Sequence, residues 1–498
     1  MSNSRFNTPE YKLPKGDALF LATETDLYDY HHLYSFATWF KNRVDAFQID
    51  ETSPLYLWSE NSDRLVFLIA SCWLLRIPFI ILPNSISEKE LKHLTGRLKP
   101  GAVVESDLSP NTFAEFPALE VPPELLMIEP AGDPELFSSQ APELLAGYVL
   151  TSGSTGTPKI VPVKRRQILF AAHASEENFR PDPGRFWLLC LPLHHMGGLT
   201  VVLRSLLYHT GIYLMERFNP ELSIQFLSEN RLIQAASMVP TMLKRMIALG
   251  NLHVHREFKA LLLGGGPISL TLIQQSETLG VPIVTSYGMT ETAGQIAANP
   301  ILSPKGAHIS KTSVGRPFRP NRVEIRDVDG NPLPALEEGS IWLKGPQVFD
   351  GYLDSKINRK RFDNEGWFHT GDIGHINRLQ HLFIHSRRED LIISGGENVN
   401  PTEVETELER LPEISEAVVL GVEDEEWGQQ VIAFIKLTEE SGDRDLIIDE
   451  LAERLKSELP GYKVPKLFTP IDEFPLTDSG KINRNLLREL YRENSKQG

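Results

Sequence analysis

The sequence predicts an α/β protein in two unequal units: a large N-terminal domain of two layered, mainly parallel sheets with helices and a β-barrel-like subdomain, then a small α+β domain. Three observations predict it. A chain of 498 residues exceeds what one hydrophobic core usually sustains. Short apolar runs such as "SPLYLW", "PFIIL", "YVLT", "FWLLCLPL", "GIYLM", "KALLLGGG" and "VPIVTSYG" alternate with helix-like segments, as parallel strands with crossover helices require. Beyond about residue 310 the texture changes to Gly-punctuated alternating strands ("RVEIRDVDG", "GSIWLKG", "GHINRLQHLFIHS"), the mark of an antiparallel barrel-like unit.

Taken from the N-terminus, "MSNSRFNTPEYKLPKGD" lacks the apolar core of a signal peptide, so secretion is not expected. The run "LVFLIASCWLLRIPFIIL", residues 65 to 82, imitates a membrane span. Arg76 lies inside it and Pro78 would break a continuous helix, so a buried helix followed by a buried strand is expected, with no membrane span. Residues 105 to 145 are rich in Pro and acidic residues and read as an irregular surface crossing. Cys72 and Cys190 both lie in apolar stretches, which suits buried thiols in a reducing, cytoplasmic compartment. The formal net charge of −16 disfavours nucleic acid as a partner. An anionic ligand must therefore be met by local cations. The polar cluster Arg387, Arg388, Glu389, Asp390 separates two textures and predicts an interdomain hinge, dividing the chain into 1–386, 387–390 and 391–498.

The stretch "YVLTSGSTGTPKIVPVK", residues 148 to 164, places Gly, Ser, Thr and one Lys within Thr151 to Lys159, directly after a strand-like run. Exposed backbone N–H groups, hydroxyls and an ammonium form a cradle for phosphate oxygens. The ATPase P-loop spacing is not met by "GSTGTPK", and alone such a turn would be an ordinary surface loop. Four further stretches follow in order: "SYGMTE" (286 to 291), "TGD" (370 to 372), "SGGENV" (394 to 399) and "SGKINR" (479 to 484).

Together the five motifs resemble those of the adenylate-forming superfamily of acyl-CoA synthetases, luciferases and peptide-synthetase adenylation domains, over most of the chain. Ile160 stands where that superfamily usually has Gly, a change expected to adjust packing only. The resemblance implies ATP and Mg²⁺ as cofactors and CoA as co-substrate. It implies that Thr151, Ser152, Gly153, Ser154, Thr155, Gly156 and Lys159 hold the β- and γ-phosphates. Thr290 and Glu291 would lie near the α-phosphate, with Glu291 a ligand of Mg²⁺. Gly264, Gly265 and Gly266 with Ser286, Tyr287 and Gly288 would sandwich adenine, while Asp372, assisted by Arg387, would bind the ribose. Lys481 would bridge carboxylate and α-phosphate. The small domain would be mobile, turning about the hinge at Glu389 to bring Gly395 and Gly396 to the site for the thiol step.

The segment "LPLHHMGGLTVVLRSLLYHTG" decides the acid. From Gly198 it reads as an apolar helix whose one charged residue, Arg204, has Thr200, Val201, Leu207 and Tyr208 as helical neighbours, none of them acidic. Arg204 must snorkel to water, pair with a distant carboxylate, or meet a ligand. With "SMVPTMLKRM" and "LLLGGGPISLTLI" the segment resembles the o-succinylbenzoate-CoA ligases of menaquinone biosynthesis. In them an arginine nine residues after the motif histidine meets the substrate's second carboxylate, the spacing of His195 and Arg204 here. His195, Gly288 and Met289 would line the acid pocket, with His195 orienting the substrate. The function implied is an AMP-forming acid–thiol ligase acting on 2-succinylbenzoate. Another aryl or medium-chain acyl-CoA synthetase, or a non-catalytic acyl-adenylate binding protein, is the alternative. The oligomeric state stays open, a homo-oligomer included.

Overall fold

The computed structural model describes residues 8–105, 116–121, 141–151, 158–301, 312–387, 390–424, 427–438 and 444–494. The apolar runs of the first part of the chain form two sheets. The larger has nine strands in the order Arg316–Pro317, Gly294–Ala298, Ile283–Met289, Ala260–Leu263, Ile233–Met238, Phe186–Leu189, Gly211–Leu214, Leu19–Ala22 and Leu27–Asp29. Its inner pairings are parallel and its edges antiparallel. The second runs Ala102–Glu105, Leu55–Trp58, Phe79–Leu82, Leu145–Thr151 and Lys159–Lys164, parallel until its last hairpin. Strands Leu55–Trp58, Phe79–Leu82 and Phe186–Leu189 are buried along their whole length, which is why they read as unbroken apolar runs rather than alternating ones.

The membrane-span mimic resolves as expected into the helix Asp63–Leu75 and the strand Phe79–Leu82. Ser62 caps the helix start by accepting from the Leu65 N–H, and Arg76 ends it with φ of 60°, ahead of Pro78. Among the described residues no helix is long and apolar enough to cross a membrane. Helices Asp63–Leu75, Arg165–Phe179 and Met196–Tyr208 contribute to one main core with residues of both sheets. In the last of them every residue but Gly197 is buried, as befits a helix apolar on nearly all faces. Cys72 and Cys190 are free and buried. Burial pushes both thiols up, Cys190 to about 12, which leaves them unreactive.

The alternating stretch expected to form a barrel-like unit pairs as an open antiparallel sheet in linear order: Arg322–Arg326, Gly339–Lys344, Phe368–Ile376 and Leu382–Arg387. A fourth sheet, of Glu397–Val399, Ile392–Ser394, Gly428–Leu437 and Ile414–Asp424 with Leu467–Pro470 added, forms the smaller α+β part. Helices Pro401–Glu409 and Arg444–Lys456 contribute to the core on one of its faces, and Leu487 of Arg484–Asn494 to the other. Most of the 105 to 145 crossing and Glu389 of the expected hinge lie outside the described residues.

Candidate active site

Strand Leu145–Thr151 turns into Lys159–Lys164 with Thr151 opposite Lys159, so both ends of the Gly/Ser/Thr loop are pinned to the sheet. Ser152, Gly153, Ser154, Thr155 and Gly156 lie outside the described residues. Ile160 is buried among Tyr56, Ile80 and Leu145, the packing role expected of it. Lys159 extends over Tyr352, its Nζ 5.7 Å from the ring centroid, and the Tyr352 hydroxyl donates to Glu291 Oε1 at 2.6 Å. The loop lysine and the motif carboxylate thus converge on one aromatic ring.

Glu291 stands in the tight turn Thr290–Thr292 between strands Ile283–Met289 and Gly294–Ala298. Gly288 allows those strands to close: a Cβ there would sit 2.1 Å from the Gly294 carbonyl oxygen. Thr292 Oγ1 accepts from the Met289 N–H at 3.1 Å and donates to the Gly294 carbonyl at 2.6 Å, fixing the turn. Phe349 N–H donates to the Glu291 carbonyl at 2.9 Å. The Glu291 carboxylate is therefore held by its backbone as well as by Tyr352.

On the same strand, Tyr287 donates its hydroxyl to Asp372 Oδ2 at 2.5 Å. Asp372 is 5% exposed, and its N–H donates to Thr370 Oγ1 at 3.0 Å. A carboxylate so buried needs such donors, and the bond orients it. Arg387 is its cross-strand partner. Ser286 Oγ donates to the Leu263 carbonyl at 2.9 Å, tying this strand to the turn Gly264, Gly265, Gly266; Gly265 has φ of 80°, a conformation that favours glycine.

Lys481 comes to that turn from the C-terminal part. A Cβ on Gly265 would lie 3.1 Å from Lys481 Cε and 3.4 Å from its Nζ. The loop that carries Lys481 is clasped from below, since Thr241 donates its hydroxyl to the Gly480 carbonyl and Ser85 donates to Asp478. His195 caps the helix Met196–Tyr208 with its backbone. Burial, with the His194 and Lys481 charges alongside, lowers the His195 imidazole to about 3, so the ring is neutral. The His194 ring lies 4.2 Å from that of His195 at a tilt of 49°, and burial lowers its pKa against the opposing pull of Asp478.

Arg204 neither snorkels nor pairs with a distant acid. It is 5% exposed, and its guanidinium donates to the Thr200 carbonyl at 3.1 Å, to Gln295 Oε1 at 3.1 Å and to Ser175 Oγ at 3.3 Å. Trp187 lies under it at 5.0 Å. Among the described residues no carboxylate comes within ion-pair distance of it. Burial lowers its pKa, yet a guanidinium stays charged. The chain thus keeps a buried cation on neutral acceptors, which costs several kcal/mol. Gln295 stands opposite Gly288 across the hairpin, so Arg204 is bonded to the element that carries Met289, Thr290 and Glu291.

The pattern of the family described as "AMP-binding enzyme" matches residues 13–353, and that of the "AMP-binding enzyme C-terminal domain" matches residues 403–481. The chain belongs to the AMP-binding enzyme family. Within this family it is 34% identical over 450 residues to a 2-succinylbenzoate–CoA ligase of Listeria monocytogenes, covering 90% of this chain and 91% of that one. Among solved structures it resembles the o-succinylbenzoate CoA synthetase of Bacillus subtilis in complex with the acyl-adenylate intermediate OSB-AMP, at 29% identity and TM-score 0.82, covering 95% of each chain. ATP-bound MatB from Rhodopseudomonas palustris gives TM-score 0.86 over 96% of this chain and 97% of that one; at 23% identity it speaks for the fold alone.

The structure does not bring every expected residue of this AMP-binding enzyme together. Gly395 and Gly396, with φ of 59° and 84°, form the turn between Ile392–Ser394 and Glu397–Val399, and Gly395 abuts Trp427 rather than the Lys481 loop. Tyr352, Gln295, Ser175 and Thr241 were missed from sequence. Tyr352 and Ser175 reach the site from far along the chain without a motif of their own, whereas Gln295 follows Glu291 by four residues and Thr241 lies within "SMVPTMLKRM".

Proposed function

We propose that the chain activates 2-succinylbenzoate with ATP and passes the acyl group to coenzyme A, in the cytoplasm. The observation that carries the choice of acid is Arg204, a buried cation whose partners among the described residues are all neutral, bonded through Gln295 to the Glu291 hairpin. A dicarboxylate supplies the anion this position lacks, whereas a fatty acid would leave the charge unpaired. The names of the relatives support the same acid.

In the first step a carboxylate oxygen attacks the α-phosphorus and pyrophosphate leaves. In the second the thiol sulfur attacks the acyl carbonyl and AMP leaves. Lys481 is assigned to the α-phosphoryl and carboxylate oxygens, where negative charge gathers. Thr151 and Lys159 would flank the outer phosphates, Asp372 with Arg387 would take the ribose, and Tyr287 with Gly264, Gly265 and Gly266 the adenine. Glu291 is a single carboxylate, and among the described residues no group of three metal-binding side chains occurs. That donor set fits Mg²⁺ shared with phosphates rather than an all-protein cage; bound there, the ion would neutralise phosphate charge. His195, being neutral, can orient the acid but not attract it. Gly395 and Gly396 are assigned to the thiol step. A cleft beside them, lined by Trp427, Tyr462 and Lys466 together with the acidic Glu423 and Asp424, offers aromatic faces to an adenine ring.

The test is CoA-dependent AMP release with 2-succinylbenzoate, benzoate and octanoate in parallel, for the wild type, Lys481→Ala and Arg204→Leu. The expected result is preference for 2-succinylbenzoate. Lys481→Ala should abolish it, and Arg204→Leu should lower kcat/KM for this acid by about 100-fold, the loss of an ion pair of about 3 kcal/mol. Activity with a monoacid alone, untouched by Arg204→Leu, would discard the dicarboxylate and keep the ligase.

A further inference from the structure

The helix Pro240–Ala248 grips the C-terminal part at two places. In its first turn Thr241 donates to the Gly480 carbonyl, and a Cβ on Gly480 would stand 3.3 Å from Val239 and 3.4 Å from Met242. Three residues on, on the same face, Lys244 Nζ lies 2.8 Å from Glu416 and 3.1 Å from Glu409. Glu409 ends the helix Pro401–Glu409 and Glu416 lies in the strand Ile414–Asp424. One short helix thus holds both the loop that carries Lys481 and the body behind it.

The Lys244 contact is mostly shielded from water, with side-chain exposures of 27% for Lys244, 10% for Glu409 and 18% for Glu416. Exposed pairs of this kind contribute little. Here, removal of Lys244 would leave two carboxylates facing each other in a half-dry cleft, with Glu405 adding to their repulsion at Glu409. Burial works against the Lys244 ammonium, yet the two carboxylates more than offset it, raising its pKa. The cation is therefore stably charged.

We infer that Lys244 is a positioning residue, which holds the C-terminal domain so that the Lys481 ammonium stays at the Gly264 to Gly266 turn for acyl-adenylate formation. The inference rests on the role given to Lys481 above. Lys244 touches no reacting group and acts through that lysine, so its loss affects one half-reaction and not the other.

Two readouts test it, one of them independent of activity. A Ser85→Cys/Asp478→Cys pair, at side chains already in contact, reports docking by its rate of disulfide formation under mild oxidant; the buried Cys72 and Cys190 do not compete. Lys244→Met in that background should slow cross-linking, and Lys244→Arg should restore it. In the native background Lys244→Met should lower kcat for acid-dependent ATP–pyrophosphate exchange at least about tenfold, as misplaced catalytic groups do. KM for ATP and thioester formation from supplied acyl-adenylate should hold. Cross-linking unchanged in Lys244→Met, or both half-reactions lowered alike, overturns the inference. A wild type that cross-links in a Lys244-dependent way but activates no acid would instead sink the proposed function and leave the docking role standing.

Discussion

The His195 imidazole is displaced from its ordinary range to about 3, by burial and by its cationic neighbours. Because the folded state resists the proton, the unfolded chain binds it first as pH falls below the usual histidine value of about 6.5. Stability is then whole above that pH and declines as the solution is acidified towards 3. His195→Gln should flatten part of that decline in urea titrations between pH 7 and 5; an identical decline would show that other groups cause it. Arg204 makes the opposite kind of statement. Since no carboxylate among the described residues offsets its charge, Arg204→Met should unfold no sooner than the wild type on heating, although activity on a dicarboxylate falls. A clearly lower midpoint would mean that the bonds to Gln295 and Ser175 outweigh the buried charge. The sequence told that Arg204 had no local carboxylate, because helical spacing is local. It could not tell that its distant acceptors are Ser175 and Gln295, the latter 91 residues away.

Elements that sharp backbone geometry dictates were the legible ones. The hairpin that carries Glu291 needs glycine at 288 because the neighbouring carbonyl stands where a Cβ would go. Gly288→Ala should cost about 1–3 kcal/mol of local stability through overpacking and depress pyrophosphate exchange with it. Gly96, inside the helix Glu88–Arg97, meets nothing within 4 Å. Gly96→Ala should leave exchange unaltered and gain about 0.5–1 kcal/mol, so a shared loss in both variants would refute the close-approach argument. Unbroken apolar runs likewise gave away the buried strands, whereas Gly-punctuated alternation from residue 322 to 387 overstated closure. Pairing in line and pairing in a ring impose the same period of two on each strand, so composition could not distinguish them.

At the scale of the whole molecule, three sheets of the large domain present the glycine turns and carboxylates, and the small domain presents one lysine to them. The five motifs were readable because each is a local backbone device. The surface that brings Lys481 of the fifth to the motifs of the large domain was not, since Lys244 reads as one more solvated charge until Glu409 and Glu416 are placed around it. Helix Pro240–Ala248 follows directly on Ile233–Met238, a strand in the middle of the nine-stranded sheet. Its position therefore derives from the centre of that sheet. Anyone building hybrids of this chain inherits a constraint: a graft cut between 387 and 390 delivers a foreign C-terminal domain without its seat. Such a chimera would need residues 239 to 244 from the same donor, even though they lie far from the cut, or a matching acid pair at the guest's positions 409 and 416.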